Sequence, residues 1–412
     1  MNNIIYKFAI YTIFIFAVLN PILAGFFEES LGLTYKAYLL VLYIASMLSI
    51  YHYKGNKLHN LLINPATCFL YYLILQSVIT LLTAENTALG FFYELSAYIL
   101  PSLFVLILSA LTTSTVEYKI EPLINIVLFV AIVSLVIDGL GYADFFAGRY
   151  SDYLPERFGF KQLHGFMPWP NAMANLLLMF GLIQQIFKPK ALAFRIGYFA
   201  IISTFTRSAI AAAFALFFIT FDKSRLKMLP TKPSLAVGFF ILVIITFLSF
   251  RSVKDSVDEF RRPDAVYRLQ YVSASMKSMI DYPIFGVGLG RLSERSLWEK
   301  DNFKFQNKYG LDDSITSYRN GTVDMGGSDT SVTLLAEIGL VGLILFAFQF
   351  VWFVRIAIKT GNMEYLLIFI PLVMLFYSTA GVIFSFNVGV FYWFLFGKLV
   401  SKYFETVGDQ WR

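Results

Sequence analysis

The sequence predicts an all-α polytopic membrane protein, with about 12 transmembrane helices and one large folded loop between helices 9 and 10. Three observations lead there. Apolar residues make up 58% of the 412-residue chain and charged residues only 15%, against roughly 45–50% and about 25% in a water-soluble domain. Mean hydropathy is +0.66, so the chain lacks the polar surface to cover itself in water. Apolar stretches of about the 20 residues needed to cross a bilayer recur from end to end. Lys and Arg gather in short segments between those stretches, as topology signals do. The net charge of +6 therefore gives no reason to expect nucleic acid. The single cysteine, Cys68, excludes an internal disulfide and a cysteine-based metal site.

Taken in order, the expected spans lie near 4–26, 37–53, 66–84, 89–111 and 121–142, then 167–187, 191–204, 207–221 and 234–250, and finally 329–357, 363–384 and 387–403. The first is long enough to stay as a spanning helix, so no cleavable signal peptide is expected. The two around 191–221 are short. An even count puts both termini on one side. Lys54 and Lys57, Lys188, Lys190 and Arg195, then Lys223, Arg225, Lys227 and Lys232, and lastly Arg355 and Lys359 all fall in loops of that same side. The positive-inside rule makes that side cytoplasmic. The opposite short loops, Glu28-Glu29-Ser30 and Ala84-Glu85-Asn86, are poor in cations.

This places two polar segments outside, a minor one at about 142–165 and a large one at 251–328. The large one carries 12 Lys/Arg and 11 Asp/Glu of the 60 charges in the chain, with Trp298, Phe303, Phe305 and Tyr309. A loop this long is functional or disordered, and its aromatic content predicts a small folded domain. The expected organisation is thus 1–250 with helices 1–9, 251–328 as the external loop domain, and 329–412 with helices 10–12 and a cytoplasmic C-terminus. No internal repeat is visible, and an inverted-repeat transporter would show matched halves.

Four segments could carry chemistry. In Thr206-Arg207-Ser208-Ala209, Arg207 opens a helix at its external end. A cation there opposes the helix macrodipole, whereas Arg207 with the free backbone N–H groups would suit a phosphate. The alternative is an interfacial arginine reaching lipid headgroups. In the run 267–280, Leu269, Val272, Met276 and Met279 recur at helical spacing and mark one apolar face. Pro283 and the glycines of Phe285-Gly286-Val287-Gly288-Leu289-Gly290-Arg291 end it. No strand precedes those glycines, so they form no dinucleotide site and are expected to fold tightly against the membrane face. Arg268 near the start of the run could meet the same anion as Arg207, or be a solvated surface charge.

The third segment runs from Gly326 to Gly342. Asp329 can cap the helix it enters, and Glu337 lies about 12 Å deeper at 1.5 Å per residue. A carboxylate at that depth is a functional candidate by default, with a structural hydrogen bond as the alternative. The fourth, from Arg157 to Ala174, holds His164 and two prolines at a helix mouth. A lone histidine there is more often structural.

Together these segments resemble the O-antigen ligase and polymerase superfamily. Thr206-Arg207-Ser208-Ala209 is similar to its Ser-Arg-Gly/Ala helix start, and Leu334-Leu335-Ala336-Glu337-Ile338-Gly339-Leu340-Val341-Gly342 is similar to its Leu-Leu-Ala-Glu-Leu-Gly-Leu-Ile-Gly signature. Pro283-Ile284-Phe285-Gly286-Val287-Gly288-Leu289-Gly290 and Pro170-Asn171-Ala172-Met173-Ala174 fit the pattern between. The resemblance implies a multi-pass protein of the bacterial inner membrane whose active site faces the periplasm. It implies transfer of a glycan from an undecaprenyl-pyrophosphate carrier. The family ligase has a His-Asn pair eight to nine residues before the glutamate, and this chain has Ser328-Asp329 there. That favours a polymerase over a ligase that loads lipid A-core.

On that reading Arg207 and Arg268 stabilise the departing diphosphate, and Asp329 accepts the acceptor proton. Arg157, His164, Asn171, Arg291 and Glu337 line the substrate. No cofactor or metal is expected. The implied partners are the lipid-linked glycan, membrane lipids, a chain-length regulator and a flippase, with no nucleic acid. A lipid-linked glycan flippase or exporter and a non-catalytic assembly scaffold are the competing classes.

Overall fold

The computed structural model describes residues 11, 64–83, 113–142, 156–157, 160–167, 170–187, 193–204, 206–221, 263–289, 292, 308–309, 331–369 and 389–409. Among them the elements in chain order are α1 (Pro65–Thr83), α2 (Thr113–Gly139), β1 (Glu156–Arg157), β2 (Phe160–Lys161), α3 (Pro170–Phe187), α4 (Ala193–Ala200), a 3-10 turn (Ile201–Thr204) and α5 (Arg207–Phe221). Then follow α6 (Pro263–Asp281), α7 (Ser331–Lys359), a 3-10 helix (Met363–Ile368) and α8 (Gly389–Asp409). The described chain is mostly helical, as expected, and β1 and β2 add one short antiparallel ladder, Glu156 opposite Lys161 and Arg157 opposite Phe160. Two helices are long and apolar enough to cross a membrane, Pro122–Gly139 and Ala336–Lys359, among the described residues. The expected spans near 37–53, 89–111 and 234–250 lie outside the described residues, as do nearly all of 4–26 and most of 363–384 and of the 251–328 loop.

Two compact units divide the chain. The first comprises Met1–Leu73, Ser96–Phe217 and Ile344–Arg412, the second Ile74–Leu95 and Phe218–Leu343. In the first unit α1 starts on a proline, whose missing N–H costs nothing at that position. Asn64 caps it, with its Oδ1 accepting the Thr67 N–H at 3.0 Å, an interaction worth about 1 kcal/mol. α2 starts at Thr113, ahead of the expected 121, and runs through Pro122. α3 is buried along 173–185 and α8 along 391–401. A helix apolar and buried all round belongs inside a bundle. Phe353 stacks on Phe396 at 4.7 Å, and Trp393 meets Phe396 edge-on at 5.8 Å.

The expected span at 191–204 is a short α-helix that tightens into the 3-10 turn. Ser203 and Thr204 explain the tightening: their hydroxyls turn back onto the carbonyls of Ala200 and Ile201, each at 2.7 Å, satisfying acceptors that the helix end leaves open. Likewise the expected span at 363–384 begins as a 3-10 helix.

In the second unit α6 departs from the expected apolar face. Met276 points outward. The inward side is made by Ala274, Ser275 and Ser278, with Met279 packed against Val287, Leu292 and Ala336. The Ser278 hydroxyl donates to the Ser275 carbonyl at 2.8 Å, so the serines can be buried without a lost hydrogen bond, and their small size lets the helix approach closely. The side chains of Leu269 and Val272 lie outside the described set.

Candidate active site

In the first unit the anchor is Asp138, a residue that sequence reasoning did not single out. It is buried in the last turn of α2. Its Oδ2 accepts the backbone N–H of His164 at 2.7 Å and of Gly165 at 3.1 Å. One turn earlier, the Ser134 hydroxyl oxygen accepts the Phe166 N–H at 3.2 Å. The helix end beneath is closed by a Schellman pair, Tyr142 N–H to the Ile137 carbonyl and Gly141 N–H to the Asp138 carbonyl. A carboxylate at a helix C-terminus opposes the macrodipole by a few tenths of a kcal/mol, and the two N–H groups offset that. The signal was present in the sequence, as a lone carboxylate in the apolar window Pro122–Gly139.

His164 is fully buried beside it. Its Nδ1 lies 2.7 Å from the Met167 carbonyl. A carbonyl carries no proton, so Nδ1 is the protonated nitrogen. Nε2 then lies 3.8 Å from Asp138 Oδ2, where a proton would complete an ion pair. The Leu163 N–H donates to the Ser203 carbonyl at 3.2 Å, tying this turn to the segment leading into α5. There the Thr206 carbonyl accepts the Ile210 N–H, opening α5, and the Thr206 hydroxyl donates to Asn171 Oδ1 at 3.1 Å. The His164 turn, Asn171 and the helix start at Arg207 are thus fastened together within this unit. Arg157 sits in β1. The side chains of Arg157 and Arg207 lie outside the described set.

The second unit is built on an exchange of backbone bonds. Inside α7, Gly339 has φ 62 and ψ −173, a conformation essentially restricted to glycine. A continuous helix would join Leu340 N–H to the Ala336 carbonyl and Val341 N–H to that of Glu337. Instead Leu340 and Val341 donate to the carbonyls of Pro283 and Ile284, each at 3.0 Å. The released Ala336 and Glu337 carbonyls accept Val287 N–H at 2.9 Å and Gly288 N–H at 3.1 Å. Four bonds to the 283–288 turn thus satisfy the backbone groups of Ala336, Glu337, Leu340 and Val341 that the break would otherwise leave open. Gly286, at φ 73, abuts Gly339 so closely that a Cβ on either would enter the other's backbone. The Gln76 side-chain amide donates to the Phe285 carbonyl.

Glu337 is fully buried at this break, and its Oε1 accepts the Leu292 N–H at 3.0 Å. Its described role is to hold the chain just past the glycine turn. Arg268 lies in α6 with its side chain outside the described set, and Arg291 and Asp329 lie outside the described residues.

On the surface of this unit, Lys308 Nζ sits 2.9 Å from Asp281 Oδ2, and the Tyr309 hydroxyl donates to the same oxygen at 2.8 Å. These hydrogen bonds hold the Asp281 carboxyl below the usual carboxylate range and push Lys308 upward. Burial, and then the bond to Asp281, raise Tyr309. Among the described residues no group of three or more His, Cys, Asp and Glu could hold a metal ion.

Residues 192–347 match the family model described as O-antigen ligase. The resemblance expected from the Arg207 and Glu337 segments is borne out: this stretch, less than half of the chain, carries the signature of the O-antigen ligase and polymerase superfamily. It contains Arg207, Arg268, Arg291, Asp329 and Glu337, and begins after Arg157, His164 and Asn171. A comparison with curated proteins finds no match.

Proposed function

From a segment of this superfamily in a chain of this composition, we propose that the protein is a membrane glycosyltransferase. It polymerises undecaprenyl-pyrophosphate-linked oligosaccharide repeat units into O-antigen or a related surface polysaccharide, on the periplasmic face of the bacterial inner membrane. The match over 192–347 is the observation that carries this reading. The fastening of Asn171 to Thr206 supports it, because it fixes a helix N-terminus beside Arg207, where backbone N–H groups favour an anion.

In the proposed reaction a hydroxyl of the incoming lipid-linked unit attacks the anomeric carbon of the growing chain. A new glycosidic C–O bond forms, the bond to the lipid diphosphate breaks, and the diphosphate leaves with the electron pair. Asp329 takes the hydroxyl proton, and Arg207 and Arg268 meet the charge that develops on the leaving group. Arg157, His164, Asn171 and Arg291 lie on the substrate side, and Glu337 acts by holding the glycine turn. The chain-length regulator and the flippase belong to the same proposal.

The description of the matching family favours a second reading, transfer of finished glycan to lipid A-core. The glycan ladder of a deletion strain separates the two. A lipopolysaccharide bearing a single repeat indicates the polymerase, and unlinked polymer indicates the ligase. Arg207→Ala in purified protein with lipid-linked units should stop chain growth. Undiminished chain length would remove Arg207 from the mechanism.

A further inference from the structure

We infer that the outward face of α6 at Met276 and Ile280, with the Ile284–Phe285 turn that follows, is covered by the acyl chains of the bilayer leaflet. The end of the large loop's helix would then lie in the membrane surface and not in water. This rests on the spanning helix and not on the transferase reading. The first support is the inverted pattern of α6. Its buried side is Ala274, Ser275 and Ser278 with Met279 partly buried, while Ile280 is 79% and Met276 54% exposed beside the exposed Ser273 and Lys277. A helix in water would do the reverse, since burying one such side chain is worth about 1.5–3 kcal/mol. Small and hydroxylated residues inward with bulky apolar residues outward is how helices pack in lipid.

The second support is depth. The 283–288 turn is bonded through its backbone to residues 336–341, the beginning of the apolar stretch Ala336–Lys359. Past the break at Gly339 the stretch continues as helix from Leu340 to Lys359, and about 20 residues at 1.5 Å per residue rise about 30 Å, the thickness of a hydrocarbon core. Leu340 and Val341, which begin that helix, therefore stand at the hydrocarbon boundary, and the turn bonded to them through the Pro283 and Ile284 carbonyls is fixed to the same level. Phe285, 57% exposed, and Ile284 are on it, and Leu340 is exposed on the spanning helix itself. The third support is the polar rim. Lys308 lies over the rings of Tyr282 and Tyr309 at 5.4 and 5.0 Å and is bonded to Asp281. Amphipathic Lys and Tyr collect where lipid meets water.

The test places a nitroxide at Ile280→Cys or Ile284→Cys in a Cys68→Ser background, with the full chain in phosphatidylcholine–phosphatidylglycerol liposomes. Ile280 and Ile284 are exposed, so a label should not disturb packing. Collisions with oxygen and with a water-soluble nickel chelate are compared with those of labels at Val351, exposed within the spanning stretch, and Lys359, at its end. The expected result is nickel-chelate collisions well below those at Lys359 at both sites, with oxygen collisions between those at Lys359 and Val351. Nickel-chelate access equal to that at Lys359 would overturn the inference. Shielding from both reagents with dipolar broadening would also overturn it, by showing a second copy of the chain on this face. A second measurement needs no label: Ile280→Lys should lower the unfolding temperature in the same liposomes, and an unchanged temperature counts against the inference.

Discussion

Asp138 and Glu337 occupy comparable places in the two units. Each is a buried carboxylate on an apolar helix, and each accepts a backbone N–H from a segment containing glycine. What holds the two segments differs. The 164–167 turn rests on side chains, the Asp138 carboxylate and the Ser134 hydroxyl. The 283–288 turn is held by four backbone bonds across the break in α7, with the Gln76 amide on the Phe285 carbonyl, and Glu337 accepts from Leu292 just beyond it. The first region is therefore specified by polar side chains, and the second by the two glycines that let backbones meet. Substitutions should separate the two kinds of specification.

Gly339→Ala should have the largest effect. The glycine-only backbone conformation alone makes alanine unfavourable by about 1–3 kcal/mol, and its Cβ would enter the Gly286 backbone. Buried polar groups freed by that displacement cost about 1–3 kcal/mol each. Thermal unfolding in micelles should fall well below that of the parent, and an unchanged transition would mean that the exchange does not hold α7.

Asp138→Ala comes next and must exceed Glu337→Gln if the comparison is sound. The alanine strips the acceptor from two buried N–H groups, about 1–3 kcal/mol each. Glutamine keeps an oxygen for Leu292 and should lose no more than about 1 kcal/mol. Equal losses in the same unfolding measurement would show that Glu337 carries more than the bond to Leu292.

The sequence exposes the two regions to different degrees. Helix existence was legible because apolar runs of spanning length have few other solutions, and α3, α5 and α7 follow the expected spans near 167–187, 207–221 and 329–357 closely. The 283–290 and 334–342 segments were each marked by their glycines. Their mutual lock was not visible, because backbone bonding between residues some 50 apart leaves no periodicity. Asp138 left only a faint trace, a lone carboxylate near the end of an apolar window, because its partners are backbone N–H groups 26 and 27 residues away. Of the four residues that mark the apolar face of α6, Met279 packs inward and Met276 is exposed. Met276 departs because the rest of the packing side is built from alanine and serine, small residues that leave no apolar stripe in the sequence. The side chains of Arg207 and Arg268, and the whole of Asp329, lie outside the described set, so the expected anion site is a matter for substitution experiments.

The smallest effect belongs to the surface clamp of the second unit, where pH replaces mutation. The lowered pKa of Asp281 comes first from the Lys308 hydrogen bond and then from that of Tyr309. A depressed carboxyl contributes stability that is fully present above its ordinary value of 3.8 and lost as pH falls through the lower folded value. Lys308, raised above its ordinary 10.5, contributes below that value and loses its share as pH climbs through the folded one. The clamp is therefore complete between those limits and opens from the acid side first in any practical range. Both side chains are about half exposed, so water screens the pair and exposed pairs contribute little. Wild type and Asp281→Asn, unfolded thermally in parallel, should differ slightly near neutral pH and converge as pH drops below the carboxylate range. A difference that persists unchanged into acid would show that Asp281 acts through packing and not through its charge, and would move this clamp to the side of the glycine turn, where shape and not ionisation decides.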